Sequence, residues 1–189
     1  TNENDVLDEF FKTGKYHPRS SDNTFHTSSP SMDISKASNF ERFIFDLLDR
    51  DSKKLKDLWD QIDRGSDFDL SDTNYFGKIP NFGFTSSSSS HELRLKMIKK
   101  LYDEFGLIID THTADGFKAA YDHFDENESI PMLVLETALP TKFEDTVIEA
   151  INLKPPRPEL LKNIEELPKH SYELNNNIND VKEFIEGNS

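Results

Sequence analysis

The sequence predicts an α/β fold in which parallel strands are flanked by helices. Two short apolar stretches, 107–109 and 132–135, each precede a polar loop and an amphipathic helix. Nearly continuous apolar runs are typical of parallel strands buried on both faces. Parallel strands joined by a helix place both following loops at one edge of the sheet, where ligands of open α/β folds bind. We therefore expect His112, Thr113 and Thr137 to lie in one pocket.

Composition limits the class of protein. The 189 residues suffice for one domain with a core, or for one lobe of a larger protein. A net charge of −14 argues against a nucleic-acid partner, because phosphate binding needs a basic face. No apolar stretch reaches the roughly 18–20 residues of a membrane span, and no signal-peptide pattern is present, so we expect no membrane association and a cytoplasmic location. The absence of cysteine excludes disulfides and thiolate metal sites.

The first half of the chain carries three helical patterns. The first helix begins after Asn2 or Asn4 and stops at Gly14. The second begins at a capping box formed by Ser38 and Glu41. A short helix is predicted within 50–90, which is otherwise largely loop. The apolar positions of these helices are Val6, Leu7, Phe10 and Phe11; Phe40, Phe43, Ile44, Leu47 and Leu48; and Leu55, Leu58, Trp59 and Ile62.

The second half begins at five consecutive serines, 86–90, which predict a mobile loop that offers no side chain to a core. Ser89 and Glu92 form a second capping box. The helix that follows has an apolar face of Leu93, Met97, Leu101 and Phe105. Three prolines within 155–158 predict a linker, and residues 154–189 read as a Pro-rich linker and tail with a small helix at 180–185.

Four segments, in order and spacing, suggest a family. Residues 29–34 read S-P-S-M-D-I, 38–42 read S-N-F-E-R, 110–114 read D-T-H-T-A, and 135–143 read L-E-T-A-L-P-T-K-F. The last two are similar to the D-P-H-T-A and L-S-T-A-H-P-A-K-F motifs of threonine synthases of the long fungal and bacterial type. The chain resembles that family along nearly its whole length.

The resemblance implies the C-terminal part of a pyridoxal-phosphate-dependent enzyme of the tryptophan-synthase-β class, fold type II. Such an enzyme converts O-phosphohomoserine and water to threonine and phosphate. In the family the Schiff-base lysine lies in the upstream lobe, so we assign no catalytic residue here and expect this chain alone to be inactive. Residues 1–153 are then part of the catalytic fold, and the upstream lobe is the expected partner.

The resemblance also assigns cofactor contacts. Thr137 takes the position of the threonine whose hydroxyl faces the pyridine nitrogen of pyridoxal phosphate; the alternative is a hydroxyl that bonds local backbone. His112 and Thr113 come from the D-P-H-T-A loop. Thr113 is equally well interpreted as the N-cap of the following helix, and His112 as a packing histidine. No histidine spacing indicates a metal site.

Ser31, Asp33, Asn39 and Arg42 are the predicted substrate-binding residues. A phosphorylated substrate needs hydrogen-bond donors and a cationic group that can bind its oxygens, which Arg42 or Lys36 could provide, Arg42 bidentately. The alternative makes Arg42 an exposed helix residue and Asn39 a polar residue of the first helical turn.

A second hypothesis is a divergent or truncated copy that serves as a non-catalytic acidic interaction module. It is favoured by the missing lysine segment and by the serine run 86–90. It is also favoured by Thr111, Glu136 and Leu139, which stand where the family motifs have Pro, Ser and His.

Overall fold

A computed structural model describes residues 1–124 and 130–188. The chain divides into two compact units, Thr1–Pro156 and Arg157–Ser189, and each is described by itself. The boundary that we predict after residue 153 stays a prediction.

The described part of the chain is mainly helical. The helices of the first unit are α1 (Val6–Thr13), α2 (Phe40–Leu47), α3 (Ser52–Asp63), α4 (His91–Phe105), α5 (Thr111–His123) and α6 (Glu144–Ile151). Two short strands, β1 (Lys15–Tyr16) and β2 (Phe68–Asp69), pair antiparallel, with Lys15 opposite Asp69 and Tyr16 opposite Phe68.

The prediction of two parallel strands at 107–109 and 132–135 is wrong. Residues 107–109 and 132–135 are in no regular element and join no sheet. A strand needs a neighbour to accept and donate its backbone hydrogen bonds, and the described residues offer neither segment a partner. The expected burial on both faces is also wrong for the second segment, because Leu133 and Leu135 are 86% and 79% exposed.

Helix α1 confirms its predicted apolar stripe and its stop. Val6 and Phe10 are buried, and Gly14 ends the helix in the left-handed conformation at φ 81°, where its N–H bonds to the Phe10 carbonyl. A Cβ at this glycine would lie 2.8 Å from the Ser71 backbone nitrogen, so the position needs glycine for both reasons. The N-cap is Asp5 instead of Asn2 or Asn4.

The first core packs α1, α2 and α3 against the β1–β2 pair. Phe10 is fully buried and makes edge-to-face contacts with Phe40, Tyr16 and Phe68, at centroid distances of 4.9, 6.4 and 6.2 Å. The predicted apolar faces of α2 and α3 are confirmed as the members of this core. The capping box predicted for α2 does not form, because the N-cap is Asn39 and no side chain caps it.

Tyr16 makes the stability of this core depend on pH. Burial raises the pKa of Tyr16 to about 12, above its ordinary value of 10. The unfolded chain therefore ionises this phenol first, so the stabilisation is complete below pH 10 and is lost as pH rises through 12. We expect the free energy of unfolding to fall by roughly 2 kcal/mol between pH 9.5 and 11.5. Urea unfolding followed by Trp59 fluorescence measures this change. The Tyr16→Phe variant should show a smaller decrease, and equal decreases in both proteins would contradict the assignment.

The second core lies between α4, α5 and α6, where Ile98, Leu101, Ile109 and Ala114 are buried. Helix α4 begins one residue later than its predicted capping box, because Ser90 is the N-cap and accepts from the Leu93 backbone nitrogen. The predicted apolar face of α4 is only partly right. Leu101 is buried, whereas Leu93 and Phe105 are exposed, and Arg94 and Ile98 take the buried positions.

The second unit contains α7 (Ile178–Gly187), which confirms the helix predicted at 180–185 and extends it. Asn177 caps α7 by accepting from the backbone nitrogens of Asn179 and Asp180. No residue described in this unit is buried. Across both units, none of the described helices is long and apolar enough to cross a membrane.

Candidate functional site

An open cavity of about 460 Å³ lies between α5, from His112 to His123, and the segment 132–137. Thr1, Met32, Ser87, His112 and Thr137 are among its lining residues, so five separate parts of the chain contribute to it. The structure thus brings together two of the three residues predicted to share a pocket, His112 and Thr137. Thr113 does not line the cavity.

Thr137 offers its side chain to this cavity. The residue is exposed, and its hydroxyl makes no hydrogen bond within the described part of the chain. Apolar residues of the same segment, 132–135, form the adjoining wall. Gly116 on α5 faces that wall closely, because a Cβ there would lie 3.2 Å from the Val134 Cγ1 atom. This part of the cavity therefore combines a hydroxyl with an apolar wall, a combination typical of small-molecule sites.

His112 is held on three sides. Its side chain is 8% exposed, its Nδ1 lies 3.0 Å from the Asp110 Oδ1, and its Nε2 accepts a 3.1 Å hydrogen bond from the Ser31 backbone N–H. The Phe143 ring packs edge-on at 4.7 Å. Because a backbone N–H can only donate, Nε2 must be the acceptor and the ring proton must sit on Nδ1, where Asp110 accepts it.

Asp110 is the N-cap of α5, which makes the Thr113 N-cap interpretation wrong. The Asp110 carboxylate is fully buried and accepts from the His112 backbone nitrogen at 2.8 Å and from the Thr113 hydroxyl. Thr113 is 2% exposed, and its hydroxyl is directed at Asp110. An aspartate directly before an apolar-periodic segment is a cap signal that the sequence carried.

Asp33 fixes the loop that contains Ser31. Its Oδ1 accepts from the side chains of Asn2, Asn4 and Thr27 at 2.7, 3.2 and 2.7 Å, and its Oδ2 accepts from the Thr27 backbone nitrogen at 2.8 Å. The two asparagines expected at the N-terminus of α1 are therefore used here. Since both Asp33 oxygens already accept bonds from the protein, the loop owes its shape to this carboxylate.

Asn39 and Arg42 lie apart from the cavity. Both are exposed on or beside α2, and neither lines the cavity that contains His112. Arg42 lines a separate surface depression with Phe45 and Arg50. None of the four predicted substrate residues lines the cavity. Ser31 comes nearest by contact, because its backbone N–H donates to the lining residue His112, and its neighbour Met32 lines the cavity.

The serine segment contributes to the structure, contrary to the expectation of a loop without side-chain contacts. Ser87 and Ser89 are buried, and Ser86 donates to the Asp8 Oδ1 at 2.7 Å. Ser87 donates to Asp122, which also pairs with Lys118. Burial opposes ionisation of Asp122, but the hydrogen bonds from Lys118 and Ser87 outweigh it and lower the pKa of this carboxyl. Short serine side chains can therefore seal a polar wall of the cavity.

The sequence did not reveal a buried ion network around Arg94, which borders the cavity through Asp115. Arg94 is fully buried and donates to the Asp115 Oδ1 at 3.0 Å, to the Ser28 hydroxyl at 2.6 Å and to the Glu3 Oε2 at 3.1 Å. Asp115 also lines the cavity. The one hint in the sequence was the position of Arg94 directly after Leu93, a residue of the predicted apolar face of α4. No group of three or more potential metal ligands occurs among the described residues.

The chain is similar in sequence to known proteins. Residues 113–185 match the family model described as threonine synthase, C-terminal. The chain is 55% identical over 185 residues to threonine synthase from Methylobacillus glycogenes and 49% identical over 186 residues to that from Corynebacterium glutamicum. Each alignment covers 98% of this chain and 38% of the relative.

Two solved structures have a similar fold. PLP-bound threonine synthase from Brucella melitensis matches with a TM-score of 0.84 at 30% identity, over 99% of this chain and 39% of that one. Yeast threonine synthase matches with a TM-score of 0.81 at 31% identity, over 98% of this chain and 40% of that one.

The fold of this chain is therefore that of the corresponding portion of these two threonine synthase structures. The chain spans about 38% of the length of the curated relatives it matches. It belongs to the threonine synthase family.

Proposed function

We propose that this chain forms the C-terminal part of a threonine synthase, which converts O-phosphohomoserine and water to threonine and phosphate. The observation that carries the proposal is the free Thr137 hydroxyl in a cavity shared with His112. Family membership and the PLP-bound relative support pyridoxal 5′-phosphate as the cofactor. The second hypothesis, a non-catalytic acidic interaction module, is not favoured at 55% identity to a threonine synthase.

The cavity fits one side of that cofactor. Thr137 would hold the pyridine nitrogen through its hydroxyl, and the apolar 132–135 wall would lie against the ring. When bound, the cofactor supplies an electron sink, while the protein supplies orientation and electrostatics. No lysine lines the cavity in the described residues, so we assign the imine-forming lysine and the phosphate cradle to the upstream lobe of the same enzyme. That lobe is the proposed partner of the chain.

The substrate-side residues have unequal support. Ser31 is supported by its bond to His112 at the cavity wall, and Asp33 by its hold on the same loop. The substrate role of Asn39 and Arg42 rests only on the S-N-F-E-R motif, because neither residue lines the cavity. Thr113 would act through Asp110, since its hydroxyl is turned to that carboxylate. A cytoplasmic location stays a prediction.

The test is a chimeric enzyme in which this chain replaces the matching 185 residues of the Methylobacillus glycogenes threonine synthase. With pyridoxal phosphate added, we expect the chimera to release phosphate from O-phosphohomoserine. The 189-residue chain alone should show no turnover above the cofactor control, because covalent catalysis through an imine needs a positioned lysine amine. A folded chimera without activity would contradict the proposed function.

Thr137→Val tests the cofactor contact in the same chimera. The change keeps the side-chain shape and deletes the hydroxyl, so the lost hydrogen bond should lower turnover roughly 2- to 13-fold and alter cofactor absorbance. Thr146→Val on α6, outside the cavity lining, is the matched control. If Thr137→Val leaves both spectrum and rate unchanged, Thr137 is not the ring contact.

A further inference from the structure

The His112 imidazole connects two parts of the cavity wall that are distant in sequence. Its Nε2 accepts from the Ser31 backbone N–H, which is the one hydrogen bond between α5 and the 29–33 loop among the residues described. Its other nitrogen is held by Asp110, the buried N-cap of α5. Both ring nitrogens thus bond protein atoms, and neither is free to bind a cofactor or substrate.

The loop that His112 holds is fixed on its other side by Asp33, through Asn2, Asn4 and Thr27. Residues Pro30–Met32 form a single 3₁₀ turn that contains the first anchored residue, Ser31, and directly precedes the second, Asp33; Met32 lines the cavity. Asp33 bonds residues near the N-terminus and in the preceding loop. His112 instead connects the loop to α5, which lines the cavity. Loss of the His112 bond would free the Ser31–Met32 side of the cavity without removing the turn.

We propose that His112 is a positioning residue that fixes the Ser31–Met32 loop at the cavity wall, acting as the Nδ1–H tautomer oriented by Asp110. This replaces the cofactor contact expected for His112. The part of the inference that concerns substrate rests on the proposed function, because a positioned loop serves binding only if the cavity receives the substrate.

The tautomer is measured directly by nitrogen NMR of the imidazole in the 189-residue chain. We expect a protonated Nδ1 and an unprotonated Nε2 for His112 near neutral pH. The opposite tautomer would overturn the proposal, because a protonated Nε2 cannot accept from Ser31. This measurement needs no variant and is independent of activity.

Hydrogen exchange of the Ser31 amide tests the anchor itself. In His112→Asn, the side-chain amide can still reach Asp110 but leaves Ser31 without an acceptor, so Ser31 exchange should accelerate roughly 2- to 13-fold, equivalent to one hydrogen bond. In His112→Gln, the longer side chain places an oxygen near the original Nε2 position, and protection should be largely restored. Equal exchange in the wild type and both variants would overturn the proposal.

The chimeric enzyme separates positioning from a general structural role. A loosened loop should raise KM for O-phosphohomoserine in His112→Asn more than it lowers kcat, with rescue by His112→Gln. If kcat falls equally in both variants while Ser31 protection is unchanged, His112 acts on the reacting groups and the positioning role is wrong. If the wild-type chimera is inactive while the tautomer and Ser31 protection are as expected, the proposed function fails and the anchor stands.

Discussion

Replacement of Arg94 by methionine should destabilise the first unit by about 3–5 kcal/mol, because it removes one partner from a buried ion network. The guanidinium is inaccessible to solvent and bonds the side chains of Glu3, Ser28 and Asp115. Methionine keeps most of the volume and removes the charge. Asp115, whose side chain is 4% exposed, would then stay in the interior as an uncompensated carboxylate.

Urea unfolding followed by circular dichroism measures the Arg94→Met effect. Lys96→Met is the matched control, because Lys96 lies two residues further along α4 and pairs with Glu92 in solvent. Exposed pairs of this kind contribute little, so the control should unfold close to the wild type. Similar midpoints for the two variants would show that the network does not stabilise the fold.

The second large effect is expected for Phe10→Ala, which should cost about 3–5 kcal/mol. Phe10 is fully buried and contacts aromatic rings from α2, β1 and β2. Alanine would leave a cavity. The neighbouring rings cannot move in to fill it, because each is attached to a different helix or strand. The lost transfer energy and the unfilled space therefore add.

Trp59 fluorescence reports on the same core, because the indole stacks on Tyr16 at 6.1 Å. Unfolding monitored at Trp59 should shift strongly for Phe10→Ala. Phe105→Ala is the control, since that ring is 62% exposed at the end of α4. A loss for Phe105→Ala as large as that for Phe10→Ala would mean that burial in this core does not set the cost.

The helices of this fold follow from sequence periodicity, because the signal is local. Apolar spacing identifies α1, α2 and α3, and Gly14 marks a real stop. The buried face of α4 is less accessible to such reasoning. Its orientation is decided by packing against α5 and α6, which rotates the helix so that Arg94 faces inward and Leu93 outward.

The strands fail for a different reason. An apolar run of four residues shows only that a segment could be buried in a sheet, whereas a ladder also needs a partner strand. For 132–135 no such partner exists among the described residues, and Leu133 and Leu135 are exposed along the open cavity instead of buried in a sheet.

The site was partly predictable. The expectation that two loops meet at one sheet edge placed His112, Thr113 and Thr137 in one pocket; His112 and Thr137 line the same cavity, whereas Thr113 does not. Their roles toward a cofactor stay predictions. The sequence does not predict which hydrogen-bond partner each polar side chain of the site selects. Thr113 turns to Asp110, Asp33 is saturated by its own loop, and these arrangements depend on side-chain geometry that spacing does not encode.

The cavity is lined by five stretches of chain, represented by Thr1, Met32, Ser87, His112 and Thr137. A small molecule that contacts several of these stretches would act as a non-covalent cross-link. By mass action, occupancy at 100 times the dissociation constant adds about 2.7 kcal/mol to the folded state. Ligand affinity and thermal stability of the first unit are therefore linked quantities, and a thermal shift can rank candidate ligands without any assay of turnover.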